Sequence, residues 1–215
     1  NGLWSFSKVK HLLKFGSPLI MAIWSYEILH VADRFIIERM LGVGALGIYS
    51  FSYTIGEAQK YLVIGVRQLW SPIFYENMNN KNYVTIKKLI SFFIVFITLI
   101  NCLLILFSKE FVMLFVNERY YESISLISII VCGLYFNGLL IIFSSSLAFK
   151  NKFASISKIA IFSSILNIIL NLLFIPYMGI FGCALATLIS YFAYFIIGFY
   201  IERHTIIEFT DVKLL

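Results

Sequence analysis

Residues 46–71 read LGIYSFSYTIGEAQKYLVIGVRQLWS, a run long and apolar enough to cross a bilayer that nevertheless carries Glu57, Lys60 and Arg67. About 20 predominantly apolar residues suffice for a transmembrane helix. Ionisable groups inside such a helix are costly, and they generally face a bundle interior or a water-filled cavity. The stretch therefore predicts a membrane fold together with a functional face.

At about 100° per residue, Tyr49, Tyr53, Lys60, Arg67 and Ser71 fall together, with Ser50, Glu57, Tyr61 and Gln68 beside them. Phe51, Ile55, Ala58, Leu62, Val66 and Leu69 occupy the other side. One face suits lipid or packing, and the other wants water, a partner or a polar ligand. Two alternatives stand beside a ligand role: Glu57 and Lys60, three apart, can neutralise each other, and Arg67 can snorkel to the membrane edge. Tyr49, Tyr53 and Tyr61 read either as cavity aromatics or as core and interface rings.

The rest of the chain is equally oily. Of its 215 residues 60% are apolar and 13% charged, with a mean hydropathy of +0.90, against about 45–50% and 25% in soluble domains. Six candidate spans follow: 15–38, 46–70, 86–107, 124–149, 153–175 and 180–201. Between them lie Gly42, Gly44 and Gly47; Asn77 to Asn82; Ser108 to Glu110; Lys150 to Lys152; and Pro176 to Gly179. Gly42 to Gly47 match G-x-G-x-x-G, but a membrane helix, not a strand, precedes them, so a tight outer turn is expected in place of a dinucleotide site.

Lysines and arginines cluster at the start of the chain and in every second connection: Lys8, Lys10, Lys14; Lys81, Lys87, Lys88; Lys150, Lys152, Lys158; Arg203, Lys213. The other connections hold only Arg34, Arg39, Lys109 and Arg119. The positive-inside rule then predicts both ends cytoplasmic. This bias accounts for the net charge of +6, so no nucleic-acid partner is expected. Leu3 to Ser7 is too short for the apolar centre of a secretory signal, and Asn1 in place of an initiator Met is expected of a fragment.

In the first span Trp24, Tyr26, Glu27, His30, Asp33 and Arg34 share one side, Glu27 being the deepest acid. Spans three, four and six have no charge at their centres, so polarity concentrates in the first two. Asn167 and Asn171, preceded by Ser163 and Ser164, read as interhelical hydrogen-bonding groups. Gly179, Gly182, Ala184 and Ala186 read as close-approach positions. Cys102, Cys132 and Cys183 lack paired spacing, and His11, His30 and His204 lack ligand spacing; neither disulfide nor metal site is predicted.

Five segments carry a resemblance: Leu13 through Ile20; Asp33-Arg34-Phe35 followed by Gly47-Ile48-Tyr49-Ser50; Trp70-Ser71-Pro72; Phe107-Ser108-Lys109-Glu110; and Asn167 through Pro176 leading into Gly179 to Thr187. From about Leu12 to Tyr200 the chain resembles the C-terminal half of a bacterial polysaccharide flippase. That is the O-antigen or capsule type within the multidrug/oligosaccharidyl-lipid/polysaccharide exporter superfamily. The resemblance implies an all-α membrane protein: six transmembrane helices forming one bundle of a two-bundle, twelve-to-fourteen-helix transporter of the bacterial inner membrane. It divides the chain into a cytoplasmic segment 1–14, a bundle 15–202 and a cytoplasmic tail 203–215.

The implied substrate is undecaprenyl-diphosphate-linked oligosaccharide, moved between leaflets by alternating access. The partners are membrane lipids and an N-terminal six-helix half. Within that frame Lys60 and Arg67 would attract the diphosphate, and Tyr53, Tyr61 and Trp24 would pack on sugars. Glu57 and Glu27 would hold these cations in the empty site or exchange a coupling ion, proton or sodium; no cofactor is expected. A drug/cation antiporter of the same superfamily is the alternative, though Lys60 and Arg67 favour an anionic ligand. A membrane polymerase or acyltransferase would need a nucleophile and base that 108–123 does not offer, so an enzyme is not expected.

Overall fold

The computed structural model describes residues 6–210, which are helices and short turns with no strand among them. The order is α1 (Phe6–Asn79), α2 (Tyr83–Phe115), a 3-10 turn (Glu118–Tyr120), α3 (Ser123–Phe149) and α4 (Phe153–Thr210). All four helices are long and apolar enough to cross a membrane. The expected terminal segments fall partly outside the described residues, at 1–5 and at 211–215 with Lys213, while α1 already covers 6–14 and α4 covers 203–210.

The structure assigns four helices where the sequence predicts six. The difference lies in α1 and α4, each interrupted at a single residue: Gly42 (φ 84°, ψ 174°) and Gly179 (φ 58°, ψ −140°). Both have a left-handed φ that a side chain disfavours, so glycine is required at these two points. The turns are so short that helical hydrogen bonding resumes at once. In a straight helix residues 33 and 49 would be about 24 Å apart, yet the Tyr49 hydroxyl donates to Asp33 Oδ2 at 2.5 Å. In α4 a Cβ on Gly182 would lie 2.7 Å from the Phe174 carbonyl oxygen, where a straight helix would separate the two by about 12 Å. Each long helix is therefore two antiparallel arms.

Packing then places the connections at two ends. Leu41 approaches Gly179, and the Phe51 ring meets that of Tyr120 at 5.1 Å, so these breaks share one end. At the other, Trp70 Nε1 donates to Ser145 Oγ at 3.0 Å, and Lys150 pairs with Glu202 at 2.8 Å. The lysine-bearing turns at 80–82 and 150–152 lie at this second end, as alternating helices require.

The most deeply buried helix is α3, which packs on all the others. Around it lie one cluster with Trp70, Phe74, Phe93, Ile97 and Phe143, and another with Leu29, Tyr49, Tyr53, Ile130, Cys183 and Tyr191. Polar pairs cross between helices within this core. Asn101 Nδ2 donates to Gln59 Oε1 at 3.1 Å and to the Val131 carbonyl at 3.0 Å, linking α2, α1 and α3. Such bonds stabilise membrane bundles by about 0.6 kcal/mol each. Asn167 and Asn171 are buried and bonded to each other at 3.0 Å, within α4. The outward faces are apolar: Phe92, Val95, Leu99, Leu106, Leu114 and Phe115 on α2 are all exposed, a surface suited to lipid and not to water.

Candidate functional site

The charged face of the second α1 arm meets α3 and α4 around a cavity of about 450 Å³. Lys60, Arg67, Ser71 and Tyr75 line it from α1, spaced so that all four project to one side. Lys60 and Arg67, seven residues apart, stand about 10.5 Å apart along the axis. Tyr26 enters from the first arm; Asn137, Ser144 and Ser145 come from α3, and Tyr194 from α4. Asn137 Nδ2 donates to the Tyr26 hydroxyl at 3.0 Å, which ties two of these walls together. The described lining contains two cations and no carboxylate. A site of this size and polarity can hold an anionic group beside a larger, partly apolar body.

Behind Lys60 lies a polar cluster that the hairpin at Gly42 assembles from both arms. His30 Nε2 is 2.7 Å from Glu57 Oε1 and 2.9 Å from Lys60 Nζ. Lys60 Nζ itself is 3.7 Å from Glu57 Oε1. One turn beyond, Arg34 Nη1 donates to the His30 carbonyl at 2.9 Å and lies 3.3 Å from His30 Nδ1. The Arg34 guanidinium also sits 4.8 Å over the Tyr53 ring, a cation–π contact. Asp33, fully buried, receives the Arg34 backbone N–H at 2.7 Å and the Tyr49 hydroxyl.

The residues singled out in the sequence divide into three groups. Lys60 and Arg67 line the cavity, and Glu57 stands behind Lys60. Tyr53 is fully buried in the core, its ring tilted against that of His30 at 5.1 Å, away from the cavity surface. Tyr61, 69% exposed, Trp24, 68% exposed, and Glu27, also exposed, turn away from this cavity onto the outer face of the bundle. The first-arm stripe is thus split, with Tyr26, His30 and Asp33 inward and Trp24 and Glu27 outward. Sequence reasoning missed Gln59, Asn137, Ser144, Ser145 and Tyr194 as lining groups. None of these had a signal: Gln59 lies about 100° round the helix from Lys60, at the edge of the apolar side, and the α3 groups sit in a span without charge.

The sequence family described as Polysaccharide biosynthesis protein matches residues 2–124. No curated protein sequence matches the chain. Among solved structures, the Vibrio cholerae MATE transporter VcmN in its bent form superposes with a TM-score of 0.69 at 20% identity, over 94% of this chain and 47% of that one. A MOP superfamily transporter from Pyrococcus furiosus, described as having a binding pocket of reverse polarity that suggests a different function, gives 0.68 at 15% identity over 88% and 44%. An outward-facing multidrug resistance MATE family transporter of the MOP superfamily gives 0.69 at 16% identity over 94% and 47%. At these identities the likeness is one of fold. The chain spans about half the length of each of these transporters.

Proposed function

The chain belongs to the polysaccharide biosynthesis protein family, and from that premise we propose that it is one half of a flippase for undecaprenyl-diphosphate-linked oligosaccharide. Its fold is that of half of a MOP superfamily transporter, and its helices make it a multi-pass membrane protein. The other half is a second bundle, N-terminal in the same protein, and the pair rocks to expose the site first to the cytoplasm and then to the periplasm. The end carrying the lysine-bearing turns is the cytoplasmic one.

A single observation carries the substrate reading: Lys60 and Arg67 line one cavity whose described lining contains no carboxylate. A diphosphate entering a low-dielectric site needs compensating positive charge, and two cations about 10.5 Å apart offer it one after the other along the transport axis. Tyr26, Tyr75 and Tyr194 supply aromatic surface for sugars in the same cavity, the role that the sequence suggested for Tyr53 and Tyr61. The exposed Trp24, Tyr61 and Glu27 belong to the face turned toward the other bundle. Glu57, 3.7 Å from Lys60, balances its charge in the empty site without hydrogen-bonding it, and a proton or sodium ion resets the cycle.

A drug/cation antiporter is the competing reading, since multidrug transporters share the fold. It needs acids where the cavity has cations. The test replaces Lys60 and Arg67 together by Met in the full transporter and measures surface glycan at matched membrane levels. Export should fall at least tenfold, with lipid-linked intermediate trapped on the cytoplasmic side. Unchanged export would sink the diphosphate role, and an intermediate that reaches the outside unpolymerised would point to a polymerase.

A further inference from the structure

The contacts around the His30 ring cannot all be hydrogen bonds at once, and the conflict has a definite resolution. Nε2 lies 2.7 Å from Glu57 Oε1 and 2.9 Å from Lys60 Nζ. To bond the carboxylate it must carry a proton, and to bond the ammonium it must present a lone pair. The other side of the ring decides between them. Arg34 Nη1, 3.3 Å from Nδ1, is a donor that never accepts, so Nδ1 is the acceptor of a neutral ring and the proton sits on Nε2. A doubly protonated ring would set a third positive charge beside Arg34 and Lys60 around one carboxylate.

In this arrangement His30 donates to Glu57, and Lys60 is left without a good acceptor. The ammonium faces an N–H at Nε2 and stands 3.7 Å from Glu57 Oε1, beyond hydrogen-bonding distance. Among the described residues no other acceptor is bonded to it, and it lines the cavity. The remaining groups near the ring are its own backbone carbonyl, which accepts from Arg34 Nη1 at 2.9 Å, and Tyr53 and Tyr26, at 5.1 and 6.3 Å; none competes for the carboxylate.

We propose that His30 is a positioning residue: by occupying the Glu57 carboxylate it keeps Lys60 out of a hydrogen-bonded ion pair and available to an anionic ligand in the cavity. The inference rests on the reading of Lys60 as a ligand-binding cation. Without the imidazole, Glu57 and Lys60, three apart on one helix, would close from 3.7 Å into a hydrogen-bonded ion pair, and a ligand would have to break it. His30 thus acts on affinity from outside the cavity, without touching the ligand.

The test uses the full transporter in detergent and displacement of a fluorescent polyprenyl diphosphate. His30→Phe should weaken binding about tenfold, the worth of one charge-assisted hydrogen bond. His30→Gln, whose amide N–H can still donate to Glu57, should stay within about twofold of the parent. The decisive variant is the double substitution His30→Phe with Glu57→Gln, which removes both the guard and the competing acid. Its affinity should return to that of Glu57→Gln alone. If the double variant stays as weak as His30→Phe, or if His30→Phe binds normally, the positioning role is overturned. If Lys60→Ala binds as tightly as the parent, the anion-binding reading of Lys60 has failed instead. Inorganic pyrophosphate as competitor separates capture of the diphosphate from capture of the lipid: its displacement of the probe supports the ionic contact with Lys60, and failure to displace overturns it.

Discussion

Tyr49 and Asp33 meet at 2.5 Å across the Gly42 turn, deep in the bundle and with neither side chain exposed. The hydroxyl is the side-chain donor to Asp33 Oδ2, while Oδ1 is held by the Arg34 backbone N–H. Tyr49→Phe keeps the ring and removes that donor. It should destabilise the protein by about 1–3 kcal/mol, the cost of leaving a buried acceptor unsatisfied. Thermal unfolding of the purified transporter reads this directly; a midpoint unchanged from the parent would show that the pair does not hold the hairpin.

Gly42 makes the turn on which that contact depends. Its φ of 84° with ψ of 174° suits glycine almost exclusively, and a Cβ there would meet nothing within 4 Å. Any penalty in Gly42→Ala is therefore one of backbone conformation, about 1–3 kcal/mol. Gly44→Ala, at a helical position equally free of neighbours, should be neutral or stabilising by up to about 1 kcal/mol. Equal melting temperatures for the two variants would contradict the turn geometry.

Gly138 is sensitive for the opposite reason. A Cβ on it would lie 2.1 Å from Ile97 Cδ1, so Gly138→Ala should overpack the contact between α2 and α3, at about 1–3 kcal/mol. Ile97→Val removes the obstructing methyl at a cost of about 0.5–1.5 kcal/mol by itself. The double variant should be more stable than the sum of the two, and simple additivity in the unfolding data would refute the contact.

Tyr53 and Tyr61 carry the same residue type on one helix, yet the first is fully buried and the second 69% exposed. Tyr53→Ala should cost about 3–5 kcal/mol through lost packing. Tyr61→Ala should change stability by no more than about 0.5 kcal/mol. Comparable losses at both positions would mean that the rotation of this arm is wrong.

Much of the architecture was legible because the bilayer restricts what a chain can do. The apolar runs, the punctuation at Gly42, Lys81, Lys150 and Gly179, and the side on which lysines accumulate follow from hydropathy and turn chemistry alone. The helix count depends on how those breaks are read, since a reversal made by one non-helical glycine, at Gly42 or Gly179, leaves no polar loop between the two arms. The candidate site was half legible. Lys60 and Arg67, seven apart, share a face by periodicity. Asn137, Ser144 and Ser145 had no such mark, because small neutral groups in an apolar span look the same whether they glue helices or line a cavity. His30 gains meaning only when the Gly42 turn brings it to Glu57, twenty-seven positions on.

Sequence by itself determined the spans, the polar stripes and the relative angles of residues along each helix, because 3.6 residues per turn is a local property. It left each helix free to rotate as a whole. Tyr53 and Tyr61 differ by only about 80° around the axis, and nothing local says which of them faces inward. That choice belongs to tertiary structure: α3 and α4 close on one side of the second arm, burying Tyr53 and enclosing Lys60 and Arg67, and leave Tyr61 outside. The physical reason is that a helix's rotation is set by the surfaces packed against it, and those come from residues distant in the chain.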